Sequence, residues 1–180
     1  MLLTSLTKTT RWLLPLLAFS LAGCGVTQGV ADGTKSVYTA VFYKKIKALH
    51  LDFTAREALN TDTRESNSLS EPVVVRVYQL KDRKSFDQTV YQQLLKDGDT
   101  LLKADLLASR DRVVKPGGDA SLDMPMEEDA QFVAVVGLFR HPDMINDTWK
   151  LVLRREELDP DKARIIEAGN NYLTLMPVKE

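Results

Sequence analysis

The sequence predicts a mainly β protein, a sandwich of two sheets with a small helical insertion, and three observations point there. Roughly seven apolar runs of strand length recur between turn residues, the pattern of all-β domains of this size. Two of them, Val73–Leu80 and Phe132–Phe139, are apolar on both faces, as strands in the middle of a layered sheet must be. Between these two, the stretch from Ser85 to Gly98 changes to helical spacing.

In chain order, Lys8 and Arg11 precede an apolar run from Trp12 to Leu21, which closes on Leu21-Ala22-Gly23-Cys24. A positive segment, a short apolar segment and small residues at a cut make an export signal. A cysteine directly after the cut matches the lipobox, where bacteria acylate the thiol and cleave. Residues 1–23 are therefore expected to be a lipoprotein signal peptide, with Cys24 the lipid-bearing first residue of the mature chain. A membrane-spanning helix needs about 20 apolar residues; this run is about half that, contains Pro15 and gives way to Gly25, Thr27, Gln28 and Gly29. Cys24 is also the only cysteine, so one molecule can build neither a disulfide nor a thiolate metal site. The fold must rest on its core.

Residues 24–36 carry three glycines and few apolar side chains, the composition of a flexible tether. Val37 to Ile46 reads as a short helix or an ordered lead-in, and residues 37–180 as the sandwich domain. Leu49, Leu51 and Phe53 alternate with His50 and Asp52, which predicts a half-buried first strand. Val73–Leu80 follows Pro72 and is rich in β-branched residues, a strand near the middle of a sheet. Ser85-Phe86-Asp87-Gln88 fits a capping box with Ser85 as N-cap; Phe86, Val90 and Leu94 continue at helical spacing until Asp97-Gly98 ends the run. A second helical turn or two is expected within Leu101 to Ala108, which places the insertion at about residues 85–108. Further strands are expected at 112–114, 120–124, 132–139, 148–154 and 171–178, with Pro116-Gly117-Gly118-Asp119 as a turn. Trp149 aligns with Leu151 and Leu153 and is assigned to the core.

The stretch from Thr54 to Glu71 reads as one long polar loop. Loops longer than about 12 residues are uncommon in compact domains and tend to be functional or disordered. Asn60, Asp62 and Ser66-Asn67-Ser68 favour local turns there.

Charge narrows the function. With residues 1–23 removed, Lys8 and Arg11 leave and no acid does, so 24 basic and 25 acidic side chains become 22 and 25, a net charge near −3. No basic excess is available to neutralise phosphates, against nucleic acid as a partner. Attachment to a membrane would rest on lipid: each buried methylene contributes roughly 0.8 kcal/mol, and several acyl chains together hold where one is marginal. Chemistry is scarce. The two histidines, His50 and His141, are isolated, and no HExxH, GxSxG, GxGxxG or GxxxxGK[ST] pattern occurs. Asp97-Gly98-Asp99 lacks the spacing of a calcium loop and reads as a turn. Glu127-Glu128-Asp129 and Glu156-Glu157 with Asp159 and Asp161 read as solvated connections. These residues suggest no catalytic site, no metal and no cofactor beyond a lipid on Cys24, and a binding or scaffold role.

The lipobox, the first strand and long polar loop, Pro72 to Leu80, Phe86 heading a helix, Ala104 to Ala108, Pro116-Gly117, Val133 to Arg140 and Trp149 come in an order that resembles the TssJ family, outer-membrane lipoproteins of the bacterial type VI secretion system. The resemblance covers nearly the whole mature chain. It implies a transthyretin-like β-sandwich without enzymatic activity, lipid-anchored in the outer membrane and facing the periplasm. It also implies a partner, the periplasmic C-terminal region of TssM, which works with TssL. The family contacts TssM through the loop between its first two strands, which maps onto Thr54 to Glu71. Within it, Asn60, Thr61, Asp62, Thr63, Arg64, Glu65 and Ser66 are the expected contacting tip, with Arg64 and Glu65 as rim charges. Gly25 after the acylated cysteine fits transfer to the outer membrane. The alternatives are a periplasmic lipoprotein binding a small molecule or glycan, which needs a concave site with exposed aromatics, and a lipoprotein hydrolase built on His50 or His141.

Overall fold

The computed structural model describes residues 45–62, 64 and 69–178; the expected signal peptide, Cys24 and the tether lie outside them. Eight strands form two four-stranded sheets. In the first, the order is β4 (Asp119–Pro125), β1 (Ala48–Leu59), β7 (Arg164–Asn170), β8 (Tyr172–Leu175). β1 runs antiparallel to β4 and parallel to β7. In the second, the order is β3 (Leu106–Val114), β2 (Val73–Leu80), β5 (Phe132–Gly137), β6 (Lys150–Arg154), all antiparallel. The two-sheet, mainly β expectation is met.

Alternation decides which side chains meet between the sheets. Leu49, Leu51 and Phe53 of β1, with Ile166 and Ala168 of β7 and Leu122 of β4, are buried on one inner face. Val73, Val75 and Val77 of β2, Val133 and Val135 of β5 and Leu153 of β6 supply the other. Gln79 shares their parity and is fully buried, its Nε2 donating to the Pro125 carbonyl at 2.8 Å and its Oε1 accepting the Glu127 amide at 2.8 Å. A buried amide satisfied on both sides costs little. The opposite face of β2 and β5, with Tyr78, Leu80, Ala134 and Val136, is buried as well. Helices α1 (Lys84–Gln88) and α2 (Tyr91–Leu102) account for that. Phe86 of α1 lies 6.3 Å from the Tyr78 ring, and Tyr91 of α2 meets Trp149 edge-on at 5.0 Å. Trp149 is a core residue, as read from its alignment with Leu153.

Five expectations change. The first strand runs on through Thr54–Leu59, so the polar loop begins only at Asn60. Ala55 and Leu59 are buried, but a register shift between them breaks the period of two that would have marked them. The helical run is two helices. Ser85 donates its hydroxyl to Asp105 at 2.7 Å instead of capping, Thr89 is extended, and Gln93 takes the Val90 amide at 3.3 Å to open α2. Asp97-Gly98 kinks α2 without ending it: Asp97 leaves helical geometry, and Gly98 packs under the Tyr78 hydroxyl, where a Cβ would collide. Leu106 to Ala108 belong to β3, not to a helix. Finally, β7 is a strand where none was expected, because Glu167, Gly169 and Asn170 dilute its apolar run.

The topology has two ends. β1 and β7 finish where β2 and β6 begin, so the β1–β2 connection, the β5–β6 loop and the β7–β8 turn gather at one end. The chain enters at the other, where Met126 N–H binds the Lys47 carbonyl and Arg155 Nη2 binds the Ile46 carbonyl at 3.0 Å. At the first end also lies the 115–118 turn, with Gly117 at φ +64 beneath the Glu57 carboxylate, a left-handed position that only glycine fills without strain.

Candidate functional site

Because Leu59 ends in one sheet and Val73 begins in the other, the β1–β2 connection must cross the end of the sandwich. Its two feet are pinned together. Glu71 N–H donates to the Leu59 carbonyl at 3.0 Å, and Leu59 N–H reaches Ser70 Oγ at 3.4 Å. Asn60 is the hub. It takes a left-handed backbone, φ +50, which asparagine tolerates better than most residues. Its Nδ2 donates to the Pro72 carbonyl at 3.1 Å, and its Oδ1 accepts the Arg140 amide at 2.8 Å. Its amide binds the Asn170 carbonyl.

Arg140, from the β5–β6 loop, closes the clamp. Nη2 and Nε donate to the Asn60 carbonyl at 3.0 and 3.3 Å, Nη1 to Glu71 Oε1 at 3.1 Å, and Nη2 also to the Leu69 carbonyl at 3.4 Å. One planar guanidinium thus holds both feet of the loop, a task that needs several donors in fixed directions. Asn171 Nδ2 adds a bond to the Thr61 carbonyl at 2.9 Å.

Above the clamp, Asp62 is buried and Arg64 exposed. Asp62 Oδ1 accepts both the Arg64 amide and Nε at 3.0 Å, and Oδ2 accepts Nη2 at 3.0 Å. His141 Nε2 sits 3.0 Å from the same Oδ2. The Arg64 side chain first, then its amide, hold the Asp62 carboxyl well below the usual carboxylate range, with His141 adding to the effect. This two-residue fork is a braced turn.

The expected tip therefore divides. Asn60 and Asp62 are 4% and 7% exposed and shape the loop from within. Thr61 is half-buried and Arg64 exposed; Thr63, Glu65 and Ser66 lie outside the described residues. The sequence pointed to the loop but not to Arg140, His141, Asn170 or Asn171, which reach it from positions about 80 to 110 residues away. In the sequence that segment stood out only as the end of the Val133–Arg140 string and through His141 as an isolated histidine.

The other candidates are engaged elsewhere. His50 pairs with Asp123 on the surface of the first sheet, far from His141. Glu128 pairs with Lys45, Glu157 accepts the Arg154 amide at 2.6 Å, and Asp159 accepts the Asp161 and Lys162 amides. Every described aromatic residue is buried or half-buried. A shallow cavity of about 290 Å³ on the β3 side is lined by Arg76, Lys96, Asp97, Asp99 and their neighbours, a polar wall with no ring on which a sugar could stack.

A family model described as a type VI secretion lipoprotein (VasD, EvfM, TssJ) matches residues 47–171. Among solved structures, a chain of one described as "Type VI membrane complex" is 45% identical, with a TM-score of 0.68, and the match covers 74% of this chain and 100% of that one. A chain of the structure described as "T6SS protein TssM C-terminal domain (869-1107) from EAEC" is 44% identical over the same shares, with a TM-score of 0.65. The T6SS lipoprotein TssJ1 from Pseudomonas aeruginosa has the same fold at 19% identity, with a TM-score of 0.59 over 75% of this chain and 100% of that one. No curated protein matches.

Proposed function

This chain belongs to the type VI secretion lipoprotein family that includes TssJ, and on that premise we propose that it is the outer-membrane anchor of a type VI secretion membrane complex. Lipid on Cys24 holds the sandwich to the inner leaflet of the outer membrane, and the β1–β2 connection binds the periplasmic C-terminal region of a TssM-type protein. The role is to hold, not to catalyse. The observation that carries the reading is the match, at 44–45% identity and over their whole length, to chains in structures described by TssM and by the type VI membrane complex. The clamp supports the choice of surface. A loop tied down by Asn60 and Arg140 has already met part of its ordering cost before a partner arrives, which favours binding.

The test is a titration of the full chain, purified in detergent, with the C-terminal domain of the TssM-type protein from the same organism. Saturable one-to-one binding is expected. Deleting Asn60–Ser66, or replacing only residues 63–66 with glycine and serine, should remove it while the core still unfolds cooperatively. A folded deletion that binds like the parent would place the contact elsewhere.

A further inference from the structure

We propose that the turn at Met144 and Ile145, in the β5–β6 loop, is a second contact for the same TssM-type domain; this rests on the function just proposed. Ile145 is 94% exposed and Met144 51%. A single exposed aliphatic side chain is ordinary on a protein surface, so the exposure alone says little. What sets this pair apart is how it is held.

Asp143 Oδ1 accepts the amides of Ile145 and Asn146 at 2.9 and 3.1 Å, and Oδ2 accepts Asn146 Nδ2 at 2.7 Å. On the far side Asp147 adopts φ +53 and takes Trp149 Nε1–H at 3.1 Å, fastening the loop to a fully buried core side chain. On the near side stands Arg140, already bound to Asn60 and Glu71. Two large apolar groups are thereby displayed to water on a turn braced at both ends. Such a turn loses little freedom on binding, and an aliphatic side chain projecting from it suits a pocket on a partner.

The turn is continuous with the β1–β2 surface. Arg140 Nη2 donates to the carbonyl of Leu69, whose side chain is 77% exposed, and His141, three residues before Met144, meets Asp62. Leu69, Met144 and Ile145 thus project from two loops joined by these bonds at one end of the sandwich. Side chains this exposed do not enclose a small molecule; they fit a protein surface with an apolar depression and a polar margin.

The experiment is the same titration with Ile145→Asp and Met144→Asp in the full chain, beside Val90→Asp, a control 54% exposed on the helical side. Ile145→Asp should weaken binding by roughly tenfold or more with an unchanged unfolding midpoint, while Val90→Asp binds as the parent does. Parental affinity in Ile145→Asp, with binding lost in the 63–66 replacement, would overturn this inference and leave the proposed function standing. Absence of binding by the folded parent chain would overturn both. If Ile145→Asp leaves partner affinity intact and instead abolishes self-association in sedimentation, the turn joins copies of this chain and the inference is wrong.

Discussion

Replacing Arg140 with alanine tests whether one side chain sets the shape of the β1–β2 connection. The guanidinium makes two bonds to the Asn60 carbonyl at 3.0 and 3.3 Å, one to Glu71 at 3.1 Å and a weak one to the Leu69 carbonyl at 3.4 Å. A hydrogen bond involving a charged group contributes about 1.5–3 kcal/mol when sheltered, whereas an exposed ion pair contributes about 0.2–1 kcal/mol. The Arg140 side chain is 36% exposed and that of Glu71 49%, so the Asn60 bonds carry most of the effect and the Glu71 pair little. The two bonds to Asn60 share one carbonyl and come from a side chain one-third exposed, so together they count as one bond at the low end of that range, and with the Glu71 pair the sum is about 2 kcal/mol. For a domain of this size that lowers the melting temperature by roughly 5–10 °C. Urea unfolding should show a lower midpoint at unchanged slope, since the surface exposed on unfolding is nearly the same. Amide exchange should rise at Glu71 and Arg64 and stay slow at Val77 and Val135 in the core. Arg140→Lys should restore little, because an ammonium cannot fork to Asn60 and Glu71 together. Unaltered stability and exchange in Arg140→Ala would refute the reasoning, since the loop would then be held by Asn60 alone.

Three further outcomes are expected. Asp62 has its folded-state pKa lowered by Arg64, so its contribution is present above the ordinary carboxylate range and is lost as pH falls below about 4; loop amide protection factors, corrected for the intrinsic exchange rate at each pH, should fall from pH 6 to 3 in the parent and stay flat, and lower throughout, in Asp62→Asn. Burial pushes the Tyr91 phenol from 10.0 up to about 12, so the unfolded chain releases that proton first and stability drops as pH rises through this window. Tyr91→Phe should flatten that alkaline loss in urea titrations, while at neutral pH it costs about 1–2 kcal/mol because the Phe139 carbonyl loses its donor. Cys24→Ser should leave the chain unacylated, unprocessed and out of the outer-membrane fraction on a sucrose gradient; a serine variant still processed and sedimenting with outer membrane would refute the lipid anchor.

How far the sequence reached depends on the range of the interactions involved. β2 and β5 were legible because a strand covered on both faces must be apolar on both, and Val73–Leu80 and Phe132–Gly137 advertise this without reference to neighbours. β7 was not, because a strand paired on both sides by β1 and β8 can carry Glu167 and Asn170 without losing its place. The Thr54–Leu59 half of β1 was hidden by a bulge that disrupts alternation. In the site, loop length and turn residues marked the connection, and the lipobox with the ordered strands marked the family. The clamp was invisible: nothing near Asn60 in the chain announces Arg140, and a surface arginine after a strand has many ordinary uses.

The placement of the chain's entry and of the clamp at opposite ends of β1 bears on how the molecule would behave under tension. A pull between Lys45 and a protein held at Asn60 runs lengthwise through Ala48–Leu59, roughly 36 Å of extended chain. That strand lies between β4 and β7, inside its sheet and not at an edge. A load applied at the two ends of one strand is carried by its covalent backbone, which is already extended, and the hydrogen bonds to both neighbours keep that backbone in register. On the proposed function, the line from Lys45 to Asn60 is the one along which two membranes moving apart would load the sandwich, and an extended strand has little slack to give along it.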